Sequence, residues 1–184
     1  DCILVHGYKN GVGNQQKKGT GIALLAAAEK DVKAKGADGP VSWGISMPFW
    51  MKASWYRKQG YSKVDKNGIA VLLWKPFTTN AKKPKWIHKV KEPSPGQHPG
   101  RITVTVFYNA RCNVQAITLE RARRAAESFG EQVVFIAINT HDRESFLSWG
   151  ITDGLYIEGK NIANGPPLKY EKIQKKIAQQ LRKL

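Results

Sequence analysis

A short apolar run, a glycine-containing basic turn and a long helical pattern follow one another near the start of the chain. The apolar run is Ile3 to Val5, the turn is Gln16-Lys17-Lys18-Gly19-Thr20-Gly21, and the helix is predicted over Ile22 to Lys35. Glycine lets the backbone approach a phosphate closely, and a helix N-terminus offers unpaired N–H groups and roughly half a positive charge. The sequence therefore predicts an anion cradle suited to a pyrophosphate.

Two common phosphate motifs do not match this turn. A P-loop requires Gly-x-x-x-x-Gly-Lys-Ser/Thr, and a dinucleotide-binding fold requires Gly-x-Gly-x-x-Gly after a strand. Gly11-Val12-Gly13 lacks the third glycine, and Gly19-Thr20-Gly21 is not followed by Lys-Ser. The spacing that remains is Gln-x-x-Gly-x-Gly.

Gln16 to Gly21 resembles the coenzyme A pyrophosphate loop of the GNAT acetyltransferases, usually written Gln/Arg-x-x-Gly-x-Gly/Ala. The elements predicted next have the order that this family requires, which is a strand, a short helix and a strand over Val41 to Ser46, Lys52 to Gln59 and Ile69 to Trp74. Trp55 to Tyr61 is similar to the family's Tyr-x-x-x-Gly-Phe helix end, with Tyr61 in the Phe place. Phe49 and Trp50 stand where many members have an Asn.

The resemblance implies acetyl-CoA as co-substrate and an amine of unknown identity as acceptor. A strand over Ile3 to Gly7 would splay from the strand at Val41, so that the backbone near Val5 and Gly7 pairs with the pantetheine amides and the thioester lies near Gly7 and Tyr8. The pyrophosphate would be held by the cradle residues, with screened attraction of roughly a kcal/mol or less from each of the two lysines; these residues are Gln16, Lys17, Lys18, Gly19, Thr20 and Gly21.

Two side chains receive catalytic roles from the same resemblance and from their chemistry. Tyr56, four residues before Gly60, would protonate the departing thiolate as general acid, and Trp55 would take that place if the register slips by one. The alternative is that both are core aromatics. His6 lies in the right region to take a proton from the amine, and its alternative is a structural role.

Composition limits the other possibilities. The sequence contains no run of some 18 apolar residues and no signal sequence, so we expect no membrane span. Two widely spaced cysteines suit a cytoplasmic protein. The histidines form no cluster with Cys2 or Cys112, so we expect no metal. The net charge of +16 is spread along the chain, which makes a nucleic-acid partner an alternative rather than the main expectation. Because the opening strand corresponds to the middle of a GNAT fold, we expect its N-terminal half to be missing.

A basic segment rich in Pro and Gly, Thr78 to Gly100, is predicted to be a linker between residues 1–77 and 101–184. Beyond it we predict a strand over Ile102 to Tyr108, a helix over Ile117 to Phe129, a buried strand over Val133 to Asn139 and a strand over Leu155 to Glu158. An amphipathic final helix follows, with Ile173 and Ile177 on its apolar face. This order is similar to that of a thioredoxin.

Cys112 follows the first of these strands, where a thioredoxin nucleophile would stand. A helix start and the neighbouring Arg111 would lower the pKa of its thiol. Gln115 occupies the place of a resolving cysteine, and Ile151-Thr152-Asp153 has no proline before the third strand. A small apolar core residue is the alternative reading of Cys112.

The whole chain resembles GNAT acetyltransferases that carry a C-terminal YoaP-like domain, through the cradle, Met47-Pro48-Phe49, Gly60-Tyr61, and Leu155 to Gly159 with Pro166-Pro167. The resemblance implies an α/β (α+β) chain, with a partial GNAT mixed sheet and flanking helices followed by a thioredoxin-like domain. The predicted function is acetyl-CoA-dependent N-acetyl transfer. The alternatives are a thioredoxin-like redox or binding module that uses Cys112, and a basic nucleic-acid-binding protein.

Overall fold

The computed structural model describes residues 3–47, 51–110, 112–163 and 166–184. Pro48, Phe49, Trp50 and Arg111, which entered the sequence predictions, lie outside the described residues. The chain is of mixed α/β type and divides between Trp86 and Ile87 into two compact units. This division falls inside the segment predicted as a linker. No helix in the described part of the chain is long and apolar enough to cross a bilayer.

The N-terminal unit contains two helices and a three-stranded antiparallel sheet of order β1-β3-β2. Its elements, in chain order, are α1 (Thr20–Ala34), β1 (Val41–Ile45), α2 (Ala53–Lys58), β2 (Ser62–Asn67) and β3 (Ala70–Trp74). Its core is formed by Leu25, Ala53, Tyr61, Val71 and Leu73. Both helices, β1 and β3 were predicted to within about two residues.

Strand β2 was not predicted, although the sequence carries a signal for it. Asn67-Gly68 precedes Ile69, and the pairing of Asn67 with Ala70 leaves a two-residue turn. Gly68 has φ +58, a backbone conformation that glycine adopts without a Cβ penalty. The strand itself is largely polar and exposed, so alternation of hydrophobicity could not reveal it.

The predicted strand over Ile3 to Gly7 does not form. These residues are irregular and pair with no strand in the described part of the chain. They are held instead by the Gln15 N–H, which donates to the His6 carbonyl at 2.8 Å, and by Ile3, which packs against the core. The segment therefore lies beside the turn that precedes α1 without joining the sheet, and the predicted splaying of two strands is absent among the described residues.

The C-terminal unit has a four-stranded sheet of order β5-β4-β6-β7, in which only β4 and β5 run parallel. Its elements, in chain order, are β4 (Ile102–Tyr108), α3 (Asn113–Glu127), β5 (Val133–Asn139), α4 (Arg143–Trp149), β6 (Gly154–Ile157), β7 (Lys160–Asn161) and α5 (Tyr170–Leu181), with a 3₁₀ turn at Gly130–Gln132. Helices α3 and α5 pack on one face of β4, through Ala122, Ala125, Ile173 and Ile177.

Three predictions for this unit need correction. The helix predicted over Ile117 to Phe129 begins four residues earlier and covers Asn113–Glu127. The strand Val133 to Asn139 was expected to be buried, but β5 lies at the edge of the sheet and is mostly half-buried. Helix α4 was missed, although Asp142 caps it by accepting a hydrogen bond from the Ser145 N–H and Gly150 ends it at φ +65. The continuous apolar run of β5 did not reveal its edge position, and β4, in which threonines alternate with apolar residues, is the buried strand.

The first residues of the C-terminal unit pack closely against the rest of that unit at two glycines. A Cβ at Gly150 would lie 2.1 Å from the His88 carbonyl oxygen, and one at Gly159 would lie 2.4 Å from the Pro93 carbonyl oxygen. The Lys91 ammonium lies 4.3 Å from the centre of the Trp149 ring. These close backbone contacts fix residues 88–95 on the surface of the unit.

A partly buried ion pair joins α1 to the sheet of the N-terminal unit. The Lys75 ammonium donates to the Glu29 carboxylate at 2.8 Å, and the Glu29 side chain is only 17% exposed. Burial, and then the neighbouring Glu29 carboxylate, raise the pKa of the Tyr61 hydroxyl well above its ordinary value. Tyr61 therefore stays protonated and can donate to Glu29, which satisfies the carboxylate from two sides.

We predict that Glu29→Ala destabilises the protein by about 1–3 kcal/mol, because it leaves Lys75 and Tyr61 without their shared acceptor. Asp31→Ala is the matched control on the same helix. Its carboxylate pairs with Lys35 in solvent, and its loss should cost at most about 0.5 kcal/mol. Urea unfolding followed by tryptophan fluorescence measures both changes, and equal losses in the two variants would contradict the role of Glu29.

Candidate functional site

A cavity of about 530 Å³ lies in the N-terminal unit between the start of α1 and the start of α2. Its size is typical of a site for a small organic ligand. No Asp or Glu is among the described residues that line it. The lining is formed by Ile3, Leu4, Val5, Gln15, Gln16, Lys17, Gly19, Thr20, Gly21, Ile22, Met51, Lys52, Trp55 and Tyr56.

Free backbone N–H groups form one end of this cavity. Helix α1 begins after Gly19, whose carbonyl accepts from the N–H groups of Ile22 and Ala23, both at 3.0 Å. No side chain caps the helix, and the N–H groups of Thr20 and Gly21 have no acceptor within the described residues. They are therefore available to an anion, which the helix dipole also favours.

The backbone before α1 is bent in a way that suits an anion. Lys17 has φ +61 and Gly19 has φ +81, so left-handed residues alternate along the turn. Such a turn can direct successive N–H groups into one concavity. Lys17 lines the cavity, whereas the Lys18 ammonium donates to the Gln15 side-chain oxygen at 3.2 Å. The positive charge at this end thus comes from the backbone and from lysine side chains together.

Gln16 connects the turn to the irregular segment before it. A Cβ built on Gly7 would lie 2.5 Å from Nε2 and 2.9 Å from Cδ of Gln16, so the Gln16 side chain lies directly over the Gly7 backbone. A side chain at position 7 would displace the end of the Gln16 side chain, which is exposed. The backbone N–H of Gln16 donates to the Asn14 side-chain oxygen at 2.8 Å.

The opposite wall of the cavity comes from α2, which another glycine positions. A Cβ at Gly44 would lie 2.8 Å from Ala53 Cα and 2.9 Å from the Met51 carbonyl oxygen, so the helix start lies directly on β1. The Ile45 N–H donates to that same carbonyl at 2.7 Å. Met51 has φ +45, which makes it one of three described non-glycine residues with positive φ.

Trp55 and Tyr56 form the aromatic part of this wall. Their rings meet edge to face with centroids 4.9 Å apart, and Tyr56 meets Tyr61 in the same way at 5.5 Å. Both are half-buried and pack against the core while they line the cavity. The two rings therefore pack against the core and line the cavity at the same time.

The cavity unites most of the residues predicted to bind the cofactor with one predicted catalytic residue. It contains Val5, Gln16, Lys17, Gly19, Thr20, Gly21 and Tyr56. Lys18, Gly7 and His6 are not among its lining residues; His6 is exposed and its Nε2 lies 2.9 Å from the Asn10 carbonyl oxygen. Sequence reasoning missed Met51 and Lys52, because the backbone bend that brings them there has no signature in the sequence.

In the C-terminal unit, Cys112 is the N-cap residue of α3 and is half-exposed. Its carbonyl accepts from the Ala116 N–H at 3.0 Å, and its N–H donates to the Asn109 carbonyl at 3.0 Å. The side-chain oxygen of Gln115 accepts from the Asn109 N–H. Gln115 thus stabilises the loop before α3 from the position that a resolving cysteine would hold.

A cavity of about 50 Å³ lies beside Gln115 and includes Thr118 and Asp153. Desolvation raises the pKa of the Asp153 carboxyl, and hydrogen bonds from Thr152 and Gln115 act in the opposite direction. This space is about large enough for one or two water molecules. It offers no room for an organic substrate.

No family model matches the sequence, and no curated protein matches it. Among solved structures, the chain is similar to thioredoxin-2, described as a component of the malaria parasite protein secretion machinery. The two share 11% identity with a TM-score of 0.37, over 48% of this chain and 96% of that chain. A likeness at this level assigns neither a fold family nor a function to the chain.

We predict that Gly7→Ala and Gln16→Ala are coupled. The new methyl group in Gly7→Ala forces the Gln16 side chain away, and once Gln16 is alanine the methyl group has space. The loss of unfolding free energy in the double variant should therefore be smaller than the sum of the single losses, by about 0.5–1 kcal/mol. Urea unfolding of the four proteins gives this difference, and strict additivity would show that Gln16 does not lie on Gly7.

Proposed function

We propose that the N-terminal unit binds acetyl-CoA and transfers its acetyl group to an amine. The observation that carries this proposal is the cavity that joins the free N–H groups of α1 to the aromatic wall of α2. An anionic group fits the first end and an apolar, thioester-bearing arm fits the second. The resemblance of Gln16 to Gly21 and of Trp55 to Tyr61 to GNAT motifs supports the same ligand.

The cradle residues would divide the binding of the pyrophosphate between backbone and side chains. The N–H groups of Thr20 and Gly21 would donate to phosphate oxygens, and Lys17 and Lys52 would supply positive charge from two sides of the cavity. Gln16 would act indirectly, through the contact of its side chain with the Gly7 backbone. The pantetheine arm would then lie along Val5, beside Trp55.

Tyr56 is the proposed general acid. The amine nitrogen attacks the acetyl carbonyl carbon, a C–N bond forms, and the C–S bond breaks with its electron pair remaining on sulfur. The Tyr56 hydroxyl gives its proton to that thiolate, while the proton of the amine passes to a base or to water. His6 stays a candidate for that base, in the irregular segment whose His6 carbonyl accepts from the Gln15 N–H.

For the C-terminal unit we propose a thioredoxin-like fold without a dithiol. Support comes from the element order β4-α3-β5-α4-β6-β7-α5 and from Cys112 at the start of α3. With Gln115 in place of a second cysteine, an intramolecular disulfide of the usual spacing cannot form. A structural or binding role therefore suits the unit better than a redox cycle.

We predict that Thr20→Glu abolishes acetyl-CoA binding and leaves the fold intact. A carboxylate in the first turn stabilises a helix, yet here it places a negative charge where the phosphate would lie. Thr20→Gln is the matched control, with similar size and no charge. Isothermal titration calorimetry should give saturable binding for the wild type and for Thr20→Gln, and none for Thr20→Glu.

Two results would contradict the proposal. One is absence of acetyl-CoA binding by the folded wild-type chain and also by a chain extended at its N-terminus. The other is equal affinity in all three proteins, because a ligand held elsewhere would not respond to charge at position 20. Circular dichroism of each variant shows whether α1 is retained.

We also predict that Tyr56→Phe keeps acetyl-CoA affinity within about twofold but lowers the rate of acetyl transfer by about 10²–10⁴-fold. Phenylalanine preserves the edge-to-face contacts of the ring and removes only the proton donor. Release of free coenzyme A thiol in the presence of a mixture of small amines measures the rate. An unchanged rate would remove Tyr56 from the mechanism and leave the binding site standing.

A further inference from the structure

The solvent face of α5 carries a dense group of positive charges. We name this set the α5 basic face; it consists of Lys172, Lys175 and Lys176 in α5, of Arg182 at its C-cap and of Lys183 directly after it. Lys176 is half-buried and the other four are exposed. Gln179 is the exposed uncharged residue between the lysines and Arg182.

Helical geometry places these cations on one side. Ile173 and Ile177 point into the core and are fully buried, and the Gln174 side chain donates to Ser128 on the α3 side. At 100° per residue the three lysines of α5 fall in a sector of about 100° that faces neither the core nor α3, and Arg182 and Lys183 follow at the C-terminal end of the helix. Residues 169–184 carry six basic side chains and one acidic side chain.

No carboxylate neutralises this face within the described residues. The acidic residues of α3 are engaged elsewhere, since Arg123 pairs with both Glu120 and Glu127. Glu171 is the acidic residue of α5 itself and lies at the border of the sector, in the first turn. Five neighbouring cations without ion-pair partners create a positive potential that attracts a polyanion.

A membrane surface does not fit this helix. Amphipathic helices bind bilayers by inserting an apolar face between headgroups. The apolar face of α5 is already occupied by the core, where Ile173 and Ile177 are 0% exposed. The exposed side chains of residues 171–183 are all charged or glutamine, and Leu184 is the exposed apolar residue that follows them.

A protein partner fits less well than a phosphate backbone. The cores of protein interfaces are depleted in lysine and enriched in aromatic residues, and the α5 basic face contains no aromatic residue. Lysine-rich surfaces that lack apolar anchors suit phosphates, which are contacted through charge and released counterions. We propose that the α5 basic face binds the phosphate backbone of nucleic acid without sequence preference.

The test uses the full chain and 20-base-pair duplexes of DNA and of RNA, labelled for fluorescence anisotropy. Removal of three charges in Lys172→Gln/Lys175→Gln/Lys176→Gln should weaken binding by about 10- to 100-fold near 100 mM salt. The slope of log K against log salt should fall in magnitude by about two to three, since each phosphate contact contributes about 0.9. The two duplexes show whether DNA, RNA or both are held.

The matched control removes three exposed lysines from the N-terminal unit, as Lys30→Gln/Lys58→Gln/Lys63→Gln. Its net charge equals that of the α5 variant, so it reports attraction that depends on total charge alone. We expect its affinity to stay within about threefold of the wild type. Unfolding midpoints of both variants should match the wild type, because all six side chains lie outside the buried cores.

Three outcomes would overturn the proposal. The first is no binding of either duplex by the wild type at low salt. The second is an equal loss in the control and α5 variants, which would show only nonspecific attraction by net charge. The third is equal or tighter binding of a polyglutamate of about 20 residues, which would favour an acidic protein partner. None of these results depends on whether acetyl-CoA binds to the other unit.

Discussion

The candidate site depends on the close approach of the α2 backbone to β1, which only a glycine at position 44 permits. Any Cβ there would clash with backbone atoms of Met51 and Ala53, which cannot move aside as a flexible side chain can. The Ile45 N–H fixes the same junction through the Met51 carbonyl. Because Trp55 and Tyr56 follow within the first turn of α2, this contact decides where their rings stand. The aromatic wall, the cavity and its opening toward α1 all follow from it.

The two ends of the cavity differ in physical character, and that difference defines the ligand class. At the α1 end, Thr20 and Gly21 offer N–H groups whose attraction to an anion is fixed by the helix and does not require long side chains to be ordered. At the α2 end, Trp55 and Tyr56 offer apolar surface. An anionic group suits the first end and an apolar group suits the second.

The positions of the acidic residues determine which of the many basic side chains are left without an ion-pair partner. The chain has 30 basic and 14 acidic residues. Several of the acidic side chains form ion pairs or accept hydrogen bonds within the fold. Glu29 joins α1 to the sheet, and Glu158 accepts from the Thr103 and Gly96 N–H groups. These carboxylates cannot screen distant lysines. The cations of the α5 basic face have no ion-pair partner within the described residues, in a stretch, residues 169–184, that carries six basic side chains and one acidic one.

The sequence by itself determined the elements whose signals are local. The apolar spacing of Ile173 and Ile177 defined α5, and the alternation in Ile102 to Tyr108 defined β4, because side-chain direction repeats with the backbone. It also located the glycine turn before α1. Tertiary structure alone decided what depends on contacts outside the local pattern. Residues 3–7 lie beside the turn that precedes α1, where the Gln15 N–H donates to the His6 carbonyl, and β5 lies mostly half-buried at the edge of its sheet. Contacts between residues far apart in sequence fix these features, and no local pattern encodes them.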